Sequence, residues 1–509
     1  MKRRTFLVLA HLFWLSLLVS PGWAGPVALT ILHTNDTHGH LLPFSYPAVV
    51  PPGSGLEGLT ARTNIGGIAR RATLVKRIRQ ELQPKNTTVW LVDAGDFSDG
   101  TPFSLEYHGE ADVEAMNAAG YTVATIGNHE FSNPLADARR ILALARYPVL
   151  CANAVETATG KPLVQPYTVR AVGPLRVAVF GLITREAAGY RAAKEGVQVA
   201  DEVETARALV PALRRQADIV VLISHAGEEM DEKLAAAVPG IDVIVGGHSH
   251  SRLPSGAFVW QSEDLKADDV NGTVIVQAHQ WAGELGRLDL LFVQDASGAW
   301  HVDRYRARLI PITPDIPEDE TVAGVVERYW KPIAGRYGEV IGEAADDFTD
   351  RGDDLTPYNL MADAVRETFQ TDIALENMGG VRAPLVKGQI TRADLAALDP
   401  FDNTVVTFKL SGRELRQLLI RHAPAVSGIH YRLVSGELVE ATVGSQPLDD
   451  THIYTGATSS YFAGYALKDA RVENTGKARL DVLINYIRQK RTVRPAYDGR
   501  RVVIGRVER

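Results

Sequence analysis

Short apolar runs alternate with helix-like stretches over the first three-fifths of the chain. Runs rich in Val and Ile fall at residues 29–32, 89–92, 122–126, 177–182, 219–223, 243–245 and 274–276. Each is too short for a helix and bounded by polar or glycine residues, so each predicts a strand buried on both faces. Between them, Ile68, Ala72, Val75, Ile78 and Leu82 recur at helical spacing and predict a helix over 68–82. Strands alternating with helices in this way predict βαβ units. Pro311, Pro314 and Pro317 punctuate a linker, and a helical pattern follows from 319 to 337. The remainder mixes helical patterns at 358–368 and 412–422 with β-rich segments at 404–410 and 430–434. No internal repeat is visible. The pattern predicts a leader over 1–24, a first domain over 25–315, a linker helix or hinge over 316–340 and a smaller mixed α/β domain over 341–509.

The leader reading rests on Lys2, Arg3 and Arg4 before an apolar run from Phe6 to Val19, with Gly22 and Ala24 at the −3 and −1 positions of a cleavage site. The run is too short for a comfortable span, and Pro21 and Gly22 break it. The expectation is an exported protein, periplasmic or secreted, with no stable membrane span after cleavage.

Composition narrows the chemistry. Of 509 residues, 45% are hydrophobic and 23% charged, which excludes disorder and fibrous repeats. The formal net charge of −7 carries no blocks of like sign and argues against a nucleic-acid binder. The single cysteine, Cys151, rules out an intramolecular disulfide and a zinc–thiolate cluster, and it reads as a small buried residue. A metal site would have to use His, Asp, Asn or Glu.

Such residues stand where the predicted strands end. The first run leads into His33-Thr34-Asn35-Asp36-Thr37-His38-Gly39-His40, the second into Asp93-Ala94-Gly95-Asp96, and the third into Gly127-Asn128-His129-Glu130. The fifth leads into Ser224-His225, and the sixth into Gly246-Gly247-His248-Ser249-His250. Ligands gather at the carboxyl ends of strands in α/β sheets, so these five ends can converge. Asp36, His38, Asp96, Asn128, His225, His248 and His250 suffice for two divalent ions sharing a carboxylate, and a donor set without thiolate suits Zn, Mn, Fe or Co. Singly, an Asp or Asn after a strand is usually a cap or turn. His33 and His40 read as supporting or surface residues.

Asp-x-His, Gly-Asp, Gly-Asn-His-Glu, a lone His after a strand and Gly-His-x-His, in this order, resemble the calcineurin-like metallophosphoesterase signature. The wording T-N-D-T-H-G-H and G-N-H-E-F resembles the bacterial 5′-nucleotidase/UDP-sugar hydrolase family. The resemblance implies an N-terminal β-sandwich flanked by helices, an α/β and α+β chain, and a C-terminal substrate-binding domain. It implies one metal held by Asp36, His38 and His250, the other by Asn128, His225 and His248, with Asp96 between them. The two ions would activate a bridging hydroxide for attack on a nucleoside 5′-phosphate, with Asn128 and His129 steadying the phosphoryl oxygens. The alternatives are a nucleotide sugar or a 2′,3′-cyclic nucleotide as substrate, or a non-catalytic nucleotide-binding protein. The expected partner is the nucleotide alone, with the protein a monomer or weak oligomer.

In the family an Asp commonly follows three residues after the His of Gly-Asn-His-Glu and orients it. Ser132 stands there, which implies an imidazolium less favoured than usual. Asn377-Met378-Gly379-Gly380-Val381-Arg382 resembles the substrate-binding turn, making Asn377, Gly380 and Arg382 candidates, with Arg351 a second phosphate-binding arginine. Phe401, in Pro400-Phe401-Asp402-Asn403, and Tyr461 are the candidate base-stacking pair. The family's Gly-Gly-Asp-Gly ribose motif is missing after Tyr461, with Asp469 the nearest acid to replace it.

Overall fold

The computed structural model describes residues 25–48, 58–260, 272–351, 354–467 and 471–505. The predicted leader over 1–24 and Asp469 lie outside the described residues, as does the side chain of Arg351.

Two six-stranded sheets face each other in the N-terminal part. The first runs in the order Trp300–Pro311, Glu284–Gln294, Val27–Thr34, Thr88–Asp93, Val123–Thr125, Val149–Leu150. The second runs Ala257–Trp260, Gly272–Val276, Val243–Gly246, Ile219–His225, Leu175–Ile183, Tyr167–Val172. Their central strands are parallel, so the carboxyl ends within each sheet point the same way.

Strand alternation explains the apolar runs. Leu29 and Ile31 point between the sheets with Val177, Val179, Ile219, Val221, Val243 and Val245. Leu32, Leu91 and Ala124 point outward, beneath the Ile68–Leu82, Glu110–Ala119 and Leu135–Leu144 helices. Ala178, Phe180, Val220 and Ile244 face the Glu202–Arg214 and Glu228–Ala237 helices on the other side. Both faces of each central strand are dry, so no polar alternation survives in the sequence.

The predicted helix over 319–337 is two helices, Glu320–Trp330 and Ala334–Tyr337. Pro332 has no N–H to continue the ladder. Asp319 caps the first by accepting from Val322 N, and Val322 and Val326 seat it in the N-terminal core.

The C-terminal part is built on a five-stranded sheet in the order Ala425–Ser427, Ile373–Glu376, Ile453–Ser459, Thr404–Ser411, Arg471–Ala478. The Thr356–Phe369 and Arg479–Lys490 helices share the core on one face, and the Gly412–His422 helix that on the other. Sheets and helices both appear in each part, as the sequence predicts. No helix among the described residues is long and apolar enough to cross a membrane.

Candidate active site

Five strand ends meet at one edge of the sandwich. The side chains they carry sit on a tightly bent backbone: Asp36, His38, Asp96, His248 and His250 all have positive φ, between 45° and 75°. Left-handed backbone is costly for residues with a Cβ, by roughly 1–3 kcal/mol each, and collects where a site demands it. Asp36 N donates to Gly95 O and His38 N to Asp96 O, both at 2.9 Å, which locks the first two strand ends together.

Each carboxylate is anchored by main-chain N–H groups and turns one oxygen toward the imidazoles. Asp36 Oδ2 accepts from Asn35 Nδ2 at 2.7 Å and from His248 N at 2.9 Å, while Oδ1 lies 3.3 Å from His250 Nε2. Asp96 Oδ1 accepts from His129 N at 2.8 Å, while Oδ2 lies 3.1 Å from His225 Nε2 and 3.9 Å from His38 Nε2. The imidazoles are oriented likewise. His38 Nδ1 donates to Asp99 O at 2.9 Å and His225 Nδ1 to Ala94 O at 2.7 Å. A carbonyl can only accept, so Nδ1 carries a proton in both rings and Nε2 is the atom turned toward the carboxylates.

Two groups of donors, Asp36, His38 and His250, and Asp96, His225 and His248, each have their atoms within 4.8 Å of one another, and His38, Asp96 and His129 form a third that links them. His38 Nε2 and His250 Nε2 are 3.3 Å apart. Asn128 Oδ1 is buried without a hydrogen-bond partner, its Nδ2 being spent on Tyr190 OH at 2.8 Å. Burial opposes a charge on His225, yet the Asp96 and Asp36 carboxylates outweigh it and raise the imidazole to about 10. Burial also works to raise Asp36, but His250 and His225 hold it below the ordinary carboxylate range. The donor set asks for cations between these atoms and fits divalent ions.

Glu130 joins the loops. Its Oε2 accepts from Asp96 N at 3.0 Å and Gly127 N at 2.7 Å, and its Oε1 from Ser98 N at 3.1 Å. Burial and the nearby Asp96 charge push it up to about 7. His129 faces the same space, its Nδ1 donating to Asp99 Oδ2 at 2.7 Å. The expected lack of a charged partner for His129 is therefore not what the structure shows: Asp99 supplies a carboxylate, and Ser132 Oγ donates to it at 2.6 Å.

Arg382 reaches across from the C-terminal part. Its Nη2 lies 3.3 Å from His129 Nε2 and 3.4 Å from His38 Nε2. Between the two parts is a cavity of about 240 Å³, lined by His38, Asp99, His250, Trp281, Tyr358 and Arg382 among others. The turn bearing Arg382 is fastened from behind, because the fully buried Arg479 donates to Gly380 O at 3.0 Å while paired with Asp399 and Glu376.

Asn377, Phe401 and Tyr461 are not among the residues that line this cavity, whereas His40 is. Asn377 is buried in its own turn, donating to Met378 O at 3.2 Å. Tyr461 is 63% exposed and its ring packs edge-on against Tyr465, while Phe401 is half-buried. Asn403 ties their neighbourhoods together, its Oδ1 accepting from Ser460 Oγ and Tyr461 N. Arg351 contributes a two-residue strand with Asp350. His33 is buried against Gly286, and His40 stacks on Trp281 at 4.5 Å. Asp99, Tyr190 and Arg479 had no motif to mark them. Only Asp99 left a trace, as the second acid of Gly95-Asp96-Phe97-Ser98-Asp99-Gly100.

The fold and the donor set define a metal-dependent phosphoester hydrolase. Residues 29–252 match the family described as calcineurin-like phosphoesterase, and residues 340–468 match the 5′-nucleotidase C-terminal domain. The chain therefore matches both domain families, the phosphoesterase first and the 5′-nucleotidase C-terminal domain second. It is 28% identical over 538 residues to Protein UshA of Yersinia enterocolitica, covering 93% of this chain and 94% of that one. It is 28% identical over 486 residues to a 5′-nucleotidase of Vibrio cholerae, covering 84% and 83%. A solved 5′-nucleotidase precursor from Thermus thermophilus superposes with a TM-score of 0.83 at 29% identity, over 94% of this chain and all of that one.

Proposed function

We propose that this chain is an exported phosphoesterase that uses two divalent ions to hydrolyse nucleoside 5′-phosphates to nucleoside and phosphate. The observation that carries this reading is the pair of donor groups flanking Asp96 Oδ2, under an arginine from the other domain. Asp36, His38 and His250 would hold one ion, and Asn128, His225 and His248 the other, with Asp96 between them. Such ions supply a nucleophile from water at neutral pH and polarise the phosphoryl oxygens.

The protein's own groups do the rest. Asn35, Ala94, Asp99 and the main chain of His129 and His248 fix the donors, so little reorganisation accompanies the reaction. His129 Nε2 faces the cavity and can stabilise charge growing on a phosphoryl oxygen, together with Asn128. Arg382 can fork onto the phosphate from the opposite side, with Arg351 a second contact. Asn377 and Gly380 shape the turn behind it, and Phe401 and Tyr461 would carry the base. Residues 316–340 would be the hinge between the domains, and the apolar leader before residue 25 supports export.

The test is phosphate release from AMP by purified residues 25–509, treated with EDTA and resupplied with Mn, Zn, Fe or Co. Metal-dependent release, lost in Asp96→Asn, is the expected result. Release only from UDP-glucose or a 2′,3′-cyclic nucleotide would favour the second reading. That reading draws on Phe401 and Tyr461 not lining the cavity and on the missing ribose motif. Metal bound without release from any substrate would overturn both.

A further inference from the structure

Ser132 occupies the position from which the family's aspartate orients the histidine, and its hydroxyl does not touch the imidazole in that role. It donates to Asp99 Oδ2 at 2.6 Å, and the same oxygen accepts from His129 Nδ1 at 2.7 Å. Asp99 belongs to a different strand end, six residues beyond the Thr88–Asp93 strand. Its backbone is held on two sides: Asp99 N donates to Ser104 Oγ at 2.7 Å, and Asp99 O accepts from His38 Nδ1 at 2.9 Å. The carboxylate side chain is 11% exposed and the His129 ring 6%, so few waters compete for the pair. Asp99 φ is 70°, a conformation Asp tolerates better than most residues with a Cβ.

We propose that Asp99 is the positioning residue for His129 and that Ser132 orients Asp99, so that the carboxylate of this dyad has moved from one loop to the facing one. The inference rests on the reading of His129 as the group beside the transferred phosphate. Two hydrogen bonds converge on one carboxylate oxygen, fixing both its rotamer and the tautomer of His129. With Nδ1 committed to Asp99, Nε2 is the ring atom turned toward Arg382 and the cavity, where a proton on it can be donated to a phosphoryl oxygen. A serine alone at 132 could not enforce this, because a hydroxyl donates or accepts with equal ease.

Three variants test the assignment. Asp99→Gly accepts the left-handed backbone and keeps the carbonyl that orients His38. Ser132→Ala removes only the second contact. Asp99→Gly with Ser132→Asp returns a carboxylate to the opposite loop. With AMP as substrate, Asp99→Gly is expected to lower kcat by about 10²-fold while KM and bound metal per chain stay near the parent values. Ser132→Ala should lose less, and the relocated carboxylate should recover most of the loss. A second readout uses the metal-free full chain: imidazole ¹⁵N spectra, with His129 assigned by its absence in His129→Gln. The parent should show His129 protonated at Nδ1, and Asp99→Gly should shift it toward the Nε2 tautomer. An unchanged kcat in Asp99→Gly, a relocated carboxylate no better than Asp99→Gly, or the same tautomer in both proteins would each overturn the proposal. A parent that releases no phosphate from any ester would overturn the proposed function instead, and the spectra would still decide the role of Asp99.

Discussion

Gly127 stands against Asp96 with no room for a side chain: a Cβ at 127 would lie 2.5 Å from Asp96 N and closer still to Asp96 Oδ1. Both atoms are held in place, Asp96 N by Glu130 Oε2 and Asp96 Oδ1 by His129 N. Gly127→Ala is therefore expected to displace the carboxylate shared by the two donor groups. Bound metal per chain and kcat should both fall, by 10-fold or more on the scale of roughly 10–100-fold typical of disturbed ligand support. Metal analysis and AMP kinetics on the same sample check this, and full metal content with parental activity would refute it.

Arg382 is half-buried, and among the described residues its guanidinium hydrogen-bonds His129 and His38 across the cavity. Arg382→Ala should lower kcat/KM by about 10²-fold with little change in melting temperature, the expected cost of losing one charged donor to the phosphoryl group. Arg382→Lys should recover only part, since an ammonium cannot fork. A loss of stability as large as the loss of activity would show the side chain to be structural.

Arg479 is fully buried and donates to Asp399 at 2.5 and 2.9 Å, to Glu376 at 2.7 Å and to Gly380 O at 3.0 Å. Even with this partner, burial pushes the Glu376 carboxyl up to about 7. Arg479→Met leaves two buried acids unpaired and should cost about 3–5 kcal/mol in urea unfolding. Adding Glu376→Gln and Asp399→Asn should return part of that stability. No recovery would mean the arginine acts mainly through Gly380 and its turn.

His33 predicts an acid limit. Burial lowers its imidazole from 6.5 to about 3, so the folded protein holds it neutral while the unfolded chain takes up a proton below 6.5. The unfolded state binds more protons throughout that window, so stability falls as pH drops from about 6.5 to about 3, in total by on the order of 4–5 kcal/mol. Urea midpoints of metal-free parent and His33→Gln between pH 7 and 4 check this. The variant should show a shallower decline, and parallel curves would sink the assignment.

The first domain's strands were legible because each is dry on both faces, so runs such as 177–182 and 219–223 read as unbroken Val and Ile. The Ile68–Leu82 and Gly412–His422 helices coincide with their predicted bounds, since their apolar stripes stand at helical spacing and Ser411 caps the second. The 319–337 helix was predicted too long because Pro332 interrupts an otherwise continuous periodicity.

Local order in the chain determined which residue types end five strands, and their meeting follows from parallel strands that bring those ends to one edge. The sequence alone also determined that any metal would lie among His, Asp, Asn or Glu, because a single cysteine cannot build a thiolate cluster; the structure adds that burial pushes its thiol up to about 12. What only the tertiary structure decided is pairing across long separations. Asp99 partners His129 from 30 residues away, Arg382 meets it from 253 away, and Arg479 holds Gly380 across 99. These contacts depend on where loops cross in space, and hydrophobic periodicity records burial along one segment but not which segments face each other.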